Sequence, residues 1–152
     1  MQLALQNIFV QSLCALFACV AYGIICNAPR KELLYCGLNG FWGWFVYRLL
    51  YIQNENAAIA TLMATMAVTA AARFLAYRRE APSILYHIPG ILPLVPGTAV
   101  YQTMTSAING QILETYSNAL SIFQLAGAIG IGSLLILVLP HWAFAFSPLK
   151  KK

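Results

Sequence analysis

The sequence predicts an all-α, polytopic membrane bundle of about five transmembrane helices, the fourth discontinuous at a Pro/Gly cluster. Three observations lead there. Of the 152 residues, 61% are hydrophobic and 9% charged, with a mean hydropathy of +0.72, far from the roughly quarter-charged mix of a soluble domain. The four acids and nine bases gather in short stretches between long apolar runs, so lipid covers most of the outside. Within one apolar run, Pro93-Leu94-Val95-Pro96-Gly97 concentrates residues that break helices.

A transmembrane helix needs roughly 20 apolar residues, and the chain divides accordingly as a single transmembrane domain over 1–152. The first run, Leu3 to Cys26, lacks a basic leader and exceeds a signal peptide's apolar region, so it reads as a retained span. After Asn27-Ala28-Pro29-Arg30-Lys31-Glu32 comes Leu33 to Ile52, with Gly37, Gly40 and Gly43 at helical spacing. Its aromatic cluster Phe41-Trp42-Gly43-Trp44-Phe45 lies near mid-span and faces lipid or a partner. Ala57 to Tyr77 repeats small residues at Ala60, Ala64, Ala67 and Ala71; Asn118 to Leu139 does so at Ala126 with Gly130 and at Ala128 with Gly132. Small residues let helix backbones approach closely. Between those two runs lies the fourth, Ser83 to Ile108, and beyond the last span His141-Trp142-Ala143-Phe144 suits an interfacial belt.

Charge supplies an orientation. Arg30, Lys31, Arg78, Arg79, Lys150, Lys151 and Lys152 occupy the first loop, the third loop and the C-terminal tail, while the second and fourth loops carry no Lys or Arg. With five spans these basic regions share one side, which places the N-terminus outside and the C-terminus in the cytoplasm. The formal charge of +5 therefore reads as topology, not as a nucleic-acid surface, since the bases form no patch with interleaved aromatics. Cys14, Cys19, Cys26 and Cys36 form no C-x-x-C pair and stand at no metal-ligand spacing from histidine, so they read as small packing residues and no cofactor or metal is expected. No Ser/His/Asp set, paired carboxylates or H-E-x-x-H motif suggests an enzyme.

The fourth span carries the functional expectation. His87 to Gly97 holds three prolines and two glycines, too many breakers for a continuous helix. Irregular backbone at membrane depth survives only where protein or a wet cavity satisfies it. After Gly97 a half-helix resumes, and its N-terminal amides favour an anionic or polar group, as in the discontinuous helices of secondary transporters. Thr98, Gln102 and Thr105 form a polar stripe that Tyr101 and Asn109 extend. Pro93, Pro96, Gly97, Thr98, Tyr101, Gln102 and Thr105 are thus the expected substrate path; a kink that serves packing, with interhelical hydrogen bonds from the stripe, is the alternative.

Glu32, Glu55, Glu80 and Glu114 all fall in expected loops, which leaves His87, beside the break, as the titratable candidate for ion coupling. Arg73 is expected to snorkel to the interface. Arg48, on the glycine-bearing second span, either snorkels or faces a cavity and attracts an anion.

The run Pro93-Leu94-Val95-Pro96-Gly97 followed by Tyr101 and Thr103-Met104, with Asn27-Ala28-Pro29 in the first loop and Gly37, Gly40 and Gly43 in the second span, resembles the threonine/serine exporter family, specifically its small (YjjB-like) subunit. The resemblance implies export of small polar metabolites, threonine and serine or a small succinate-like dicarboxylate, from the cell's inner membrane. It also implies a larger subunit of the same family as partner, which the odd span count makes an inverted one, and allows a higher oligomer. A non-transporting scaffold or accessory subunit is the competing class.

Overall fold

A computed structural model describes residues 2–139; the His141–Phe144 belt and the C-terminal lysines lie outside the described residues. Six α-helices and a 3₁₀ turn follow in order: α1 (Gln2–Ile25), α2 (Leu33–Asn54), α3 (Ala57–Arg79), α4 (Ile84–Ile91), the turn Leu92–Leu94, α5 (Gly97–Ile108) and α6 (Ile112–Leu137). The described residues contain no strand. Asn7–Ile25, Ala57–Arg79 and Ile112–Leu137 are each long and apolar enough to cross a bilayer. Ile84–Leu94 with Gly97–Ile108, bent by 49° at the break, makes a fourth if taken as one span. On length and apolarity the count is therefore three, or four with the bent pair, below the expected count of about five. The helix outside that count is α2: its 22 residues suffice in length, but Asn39, Arg48 and several tyrosines and tryptophans dilute its apolar character.

Local chemistry sets the boundaries. Asn27, with φ +58°, ends α1 in a Schellman arrangement: the Asn27 amide donates to Ile24 O and the Ala28 amide to Gly23 O, both at 3.0 Å. The Asn56 side chain caps α3 by accepting from the amides of Ala58 (3.1 Å) and Ile59 (3.3 Å). The largest departure from expectation is the α5–α6 connection, which occupies three residues where the sequence suggested Asn109 to Ser117. Gly110 adopts φ +71°, its amide donates to Ala107 O and that of Gln111 to Ser106 O. This second Schellman turn reverses the chain at once, so α6 starts at Ile112.

The packing has two parts. α1, α2, α3 and α4 pack on one another, whereas α5 lies chiefly along α6 and α6 along α3. The small-residue stripes divide the same way. Gly37 and Gly40 abut α1 at Leu16, Cys19 and Val20; Gly43 abuts Val68 of α3 and the Gly90 carbonyl of α4. Ala60 and Ala64 are buried, and Gly132 approaches α3 so closely that a Cβ would stand 2.8 Å from Leu62 O. Ala126 and Gly130 face outward on α6.

Candidate functional site

Pro89 and Pro93 dictate how the broken span is held. A proline at position i cannot donate to the carbonyl at i−4, so Pro89 deprives Leu85 O of its helical donor and Pro93 deprives Pro89 O. Two thiols from other helices stand at these carbonyls: Cys36 Sγ of α2 donates to Leu85 O at 3.3 Å, and Cys19 Sγ of α1 to Pro89 O at 2.9 Å. The amide of Leu92 also reaches Pro89 O as the 3₁₀ turn begins. Asn39 Nδ2 adds a bridge, donating to Tyr86 O of α4 at 3.0 Å and Val68 O of α3 at 3.3 Å. Gly90 permits this approach, since a Cβ there would stand 2.5 Å from Asn39 Nδ2 and 2.9 Å from Val68 Cγ1. The cysteines divide in a way that the expectation of packing residues did not include: Cys14 and Cys26 are exposed, while Cys19 and Cys36 are buried and also donate hydrogen bonds.

At the end of the bundle that carries Arg30, Lys31, Arg78 and Arg79, one carboxylate ties three elements. Glu32, before α2, accepts from Arg79 Nε at 3.1 Å and Nη2 at 2.8 Å, and from the Tyr86 hydroxyl of α4 at 2.7 Å. The Arg79 guanidinium also lies 4.5 Å from the centre of the Tyr35 ring. The Arg79 hydrogen bond, and then that of Tyr86, hold the Glu32 carboxyl below its ordinary range.

Next to it a cavity of about 150 Å³ opens between α3, the start of α4 and the end of α6, lined by Thr69, Ala72, Arg73, Ser83, Ile84, His87 and Leu137. Arg73 does more than snorkel. Its Nη1 donates to the carbonyls of Ile136 (2.7 Å), Leu137 (3.1 Å) and Leu139 (2.6 Å), capping the C-terminus of α6 with a positive charge. Thr69 ends a buried ladder on α3 in which Thr61, Thr65 and Thr69 each donate to the carbonyl four residues back at 2.7 Å. His87 Nδ1 is buried with no hydrogen-bond partner among the described residues.

The residues expected along the substrate path fall elsewhere. Pro93 sits in the 3₁₀ turn and Pro96 is the N-cap of α5, which has no side-chain cap. The second and third amides of α5, Thr98 and Ala99, accordingly have no intrahelical acceptor. Gly97 has nothing within 4 Å of where a Cβ would stand. Thr98, Gln102 and Thr105 form an exposed face of α5, and Tyr101 is 71% exposed. Arg48 is half-buried on α2; its Nε has no partner among the described residues and its guanidinium lies 6.0 Å from the Tyr51 ring centre. None of these residues lines the His87 cavity. Cys19, Cys36, Asn39 and the threonine ladder are the features that sequence reasoning missed; the i, i+4, i+8 spacing of Thr61, Thr65 and Thr69 was the available signal for the last.

A bundle of apolar helices seated around a proline-broken span is a membrane protein of the architectural class that includes many secondary transporters. The particular family follows from comparison: the family described as "Threonine/Serine exporter, ThrE" matches residues 11–139, and the chain belongs to it. Among its relatives, a Corynebacterium glutamicum protein named threonine/serine exporter is 29% identical over 115 residues, covering 76% of this chain and 23% of that protein. An uncharacterised Haemophilus influenzae protein is 28% identical over 89 residues, 59% of this chain and 30% of the relative. The chain thus spans less than a third of the length of either relative. No solved structure matches it.

Proposed function

We propose that this chain is one subunit of a secondary transporter that exports small polar metabolites, threonine and serine foremost. The observation that carries the proposal is the exposed polar face of α5 on the far side of a broken span, in a chain from an exporter family. Hydrocarbon cannot satisfy the amide of Gln102, so a second protein covers that face. The covering protein is a larger subunit of the same family, inverted with respect to this one; the matched relatives are more than three times as long as this chain's share of them. In this reading the chain crosses the inner membrane five times, α2 included, with its N-terminus outside and its basic end in the cytoplasm. Substrate passes along Pro93, Pro96, Gly97, Thr98, Tyr101, Gln102 and Thr105, Arg48 supplies positive charge, and His87 serves ion coupling.

Efflux from proteoliposomes containing both subunits tests this. Combined Thr98→Val, Gln102→Leu and Thr105→Val should lower threonine efflux about tenfold or more, the scale of losing one or two hydrogen bonds to substrate, while both subunits still co-purify. Unchanged efflux removes the stripe from the path. Full flux with the larger subunit alone would make this chain an accessory scaffold, and succinate efflux in place of threonine efflux would transfer the assignment to dicarboxylates.

A further inference from the structure

We infer that the α5–α6 hairpin is one rigid arm that swings on the α3–α6 seam, with Pro96 as its hinge and the Arg73 clasp as its pivot, opening and narrowing a cleft at the far end of that seam. The motion belongs to this chain and does not depend on which solute is carried.

The hairpin is firm within itself and joined to the rest at two places. Between α5 and α6 the chain reverses in three residues, with the Gln111 amide donating to Ser106 O at 2.9 Å and the Ile112 amide to Gly110 O at 3.1 Å, and the two helices lie along one another. Beyond the hairpin, the substantial packing of α5 and α6 is that of α6 on α3. The second attachment is the chain itself at Pro96. With φ −75° and ψ +59°, and the Gly97 amide donating to Val95 O at 2.8 Å, Pro96 is the centre of an inverse γ-turn, a one-residue joint at the 49° bend. Gly97, next to it, has nothing within 4 Å of its Cβ position, so no packed side chain braces the joint there.

The seam is fastened at one end and open at the other. At the basic end Arg73 Nη1 holds the carbonyls of Ile136, Leu137 and Leu139. In the middle, Ala64 of α3 and Ala128 and Gly132 of α6 are buried small residues. The Thr61, Thr65 and Thr69 hydroxyls each donate to α3's own carbonyls, so none of those three hydrogens ties α3 to α6. Such a surface holds by shape and rolls without breaking a hydrogen bond. At the far end Ser121, Gln124 and Leu125 stand off Glu55, Asn56, Ala57 and Ala58, leaving a cleft of about 410 Å³; the Ser121 hydroxyl donates within α6, to Ser117 O. Over the roughly 22 Å that α6 runs from Ser121 to Ile136, a rotation of about 10° about the clasp displaces the cleft end by about 4 Å.

Pulsed spin-label distances in the full chain, reconstituted in nanodiscs, test this. Nitroxides on introduced keto side chains leave the cysteines in place, and every labelled position is an exposed residue. The pair Ile59 and Phe123, from body to arm near the cleft, should spread over about 4 Å more than the pair Phe17 and Ile59 within the body. Tyr101 with Leu113, within the arm, should be as narrow as the body pair. Phe74 with Leu134, beside the clasp, should also be narrow, should broaden in Arg73→Met, and should broaden less in Arg73→Lys, which keeps a cationic donor. An Ile59–Phe123 distribution no wider than the body pair would overturn the swing, and a Tyr101–Leu113 distribution as wide as Ile59–Phe123 would overturn the rigid arm. Phe74–Leu134 distances unchanged in Arg73→Met would remove the clasp as pivot and the inference with it.

Discussion

Cys19 Sγ of α1 donates to the carbonyl oxygen of Pro89, 70 residues later, at 2.9 Å. That carbonyl lost its helical donor to Pro93, and Cys36 stands in the same relation to Leu85 O and Pro89. Thiols of the first two helices thus stand as donors at the two carbonyls that the prolines leave without a helical one.

Removing the donor without adding volume should expose this dependence. Cys36→Ala is expected to destabilise the chain by about 1–2 kcal/mol, because the partly buried Leu85 carbonyl loses its partner. Cys36→Ser, which keeps a donor, should cost less. Unfolding in mixed micelles measures both; equal stability of the two variants would refute the donor role.

The two glycines of the break region should respond oppositely to alanine. At Gly90 an added Cβ meets Asn39 Nδ2 and Val68 Cγ1, so Gly90→Ala should cost about 1–3 kcal/mol by overpacking. At Gly97, the first residue of α5, it meets nothing within 4 Å, and Gly97→Ala should leave stability unchanged or slightly raised. Thermal unfolding separates the two, and any loss of efflux in Gly97→Ala then reports function rather than folding.

The Glu32 contact with Arg79 and Tyr86 has a definite pH signature. Because the native carboxyl titrates below its ordinary value of 4.5, its contribution is fully present above that value and fades as pH falls through the lower native one. Wild type should therefore exceed Glu32→Gln in stability at neutral pH, with the difference disappearing under acid. Parallel melting curves for the pair across that range are the check; a gap that persists in acid would assign the effect to packing.

Arg73 should prove structural as well as charged. Arg73→Met removes a cationic donor from three carbonyls at the end of α6, at an expected cost of about 1.5–3 kcal/mol. The loosening should be local to the α3–α6 seam, so hydrogen exchange should quicken in the last turns of α6 and stay slow in α2.

Periodic, short-range features were legible in the sequence. Long apolar runs gave the helices, and three prolines within eight positions gave the break, because a proline's effect on its own helix is purely local. The start of α6 was misplaced because Asn109 to Ser117 looked polar enough for a loop, whereas a single glycine at positive φ closes the turn in three residues. The candidate site was less legible. His87 stood out beside the break, but its neighbours Arg73 and Leu137 lie on helices distant in sequence, and nothing local marks that they meet. The cysteines were misjudged for the same reason: a thiol looks like a small apolar residue until a carbonyl without a donor is placed against it.

The bonds to Leu85 O and Pro89 O also carry a direction in time. Residues 19 and 36 leave the ribosome before residues 85–93, so both thiols have been synthesised when the proline run emerges. The segment least able to satisfy its own backbone enters the bilayer after its donors, and the order of synthesis matches the order in which the hydrogen bonds are needed.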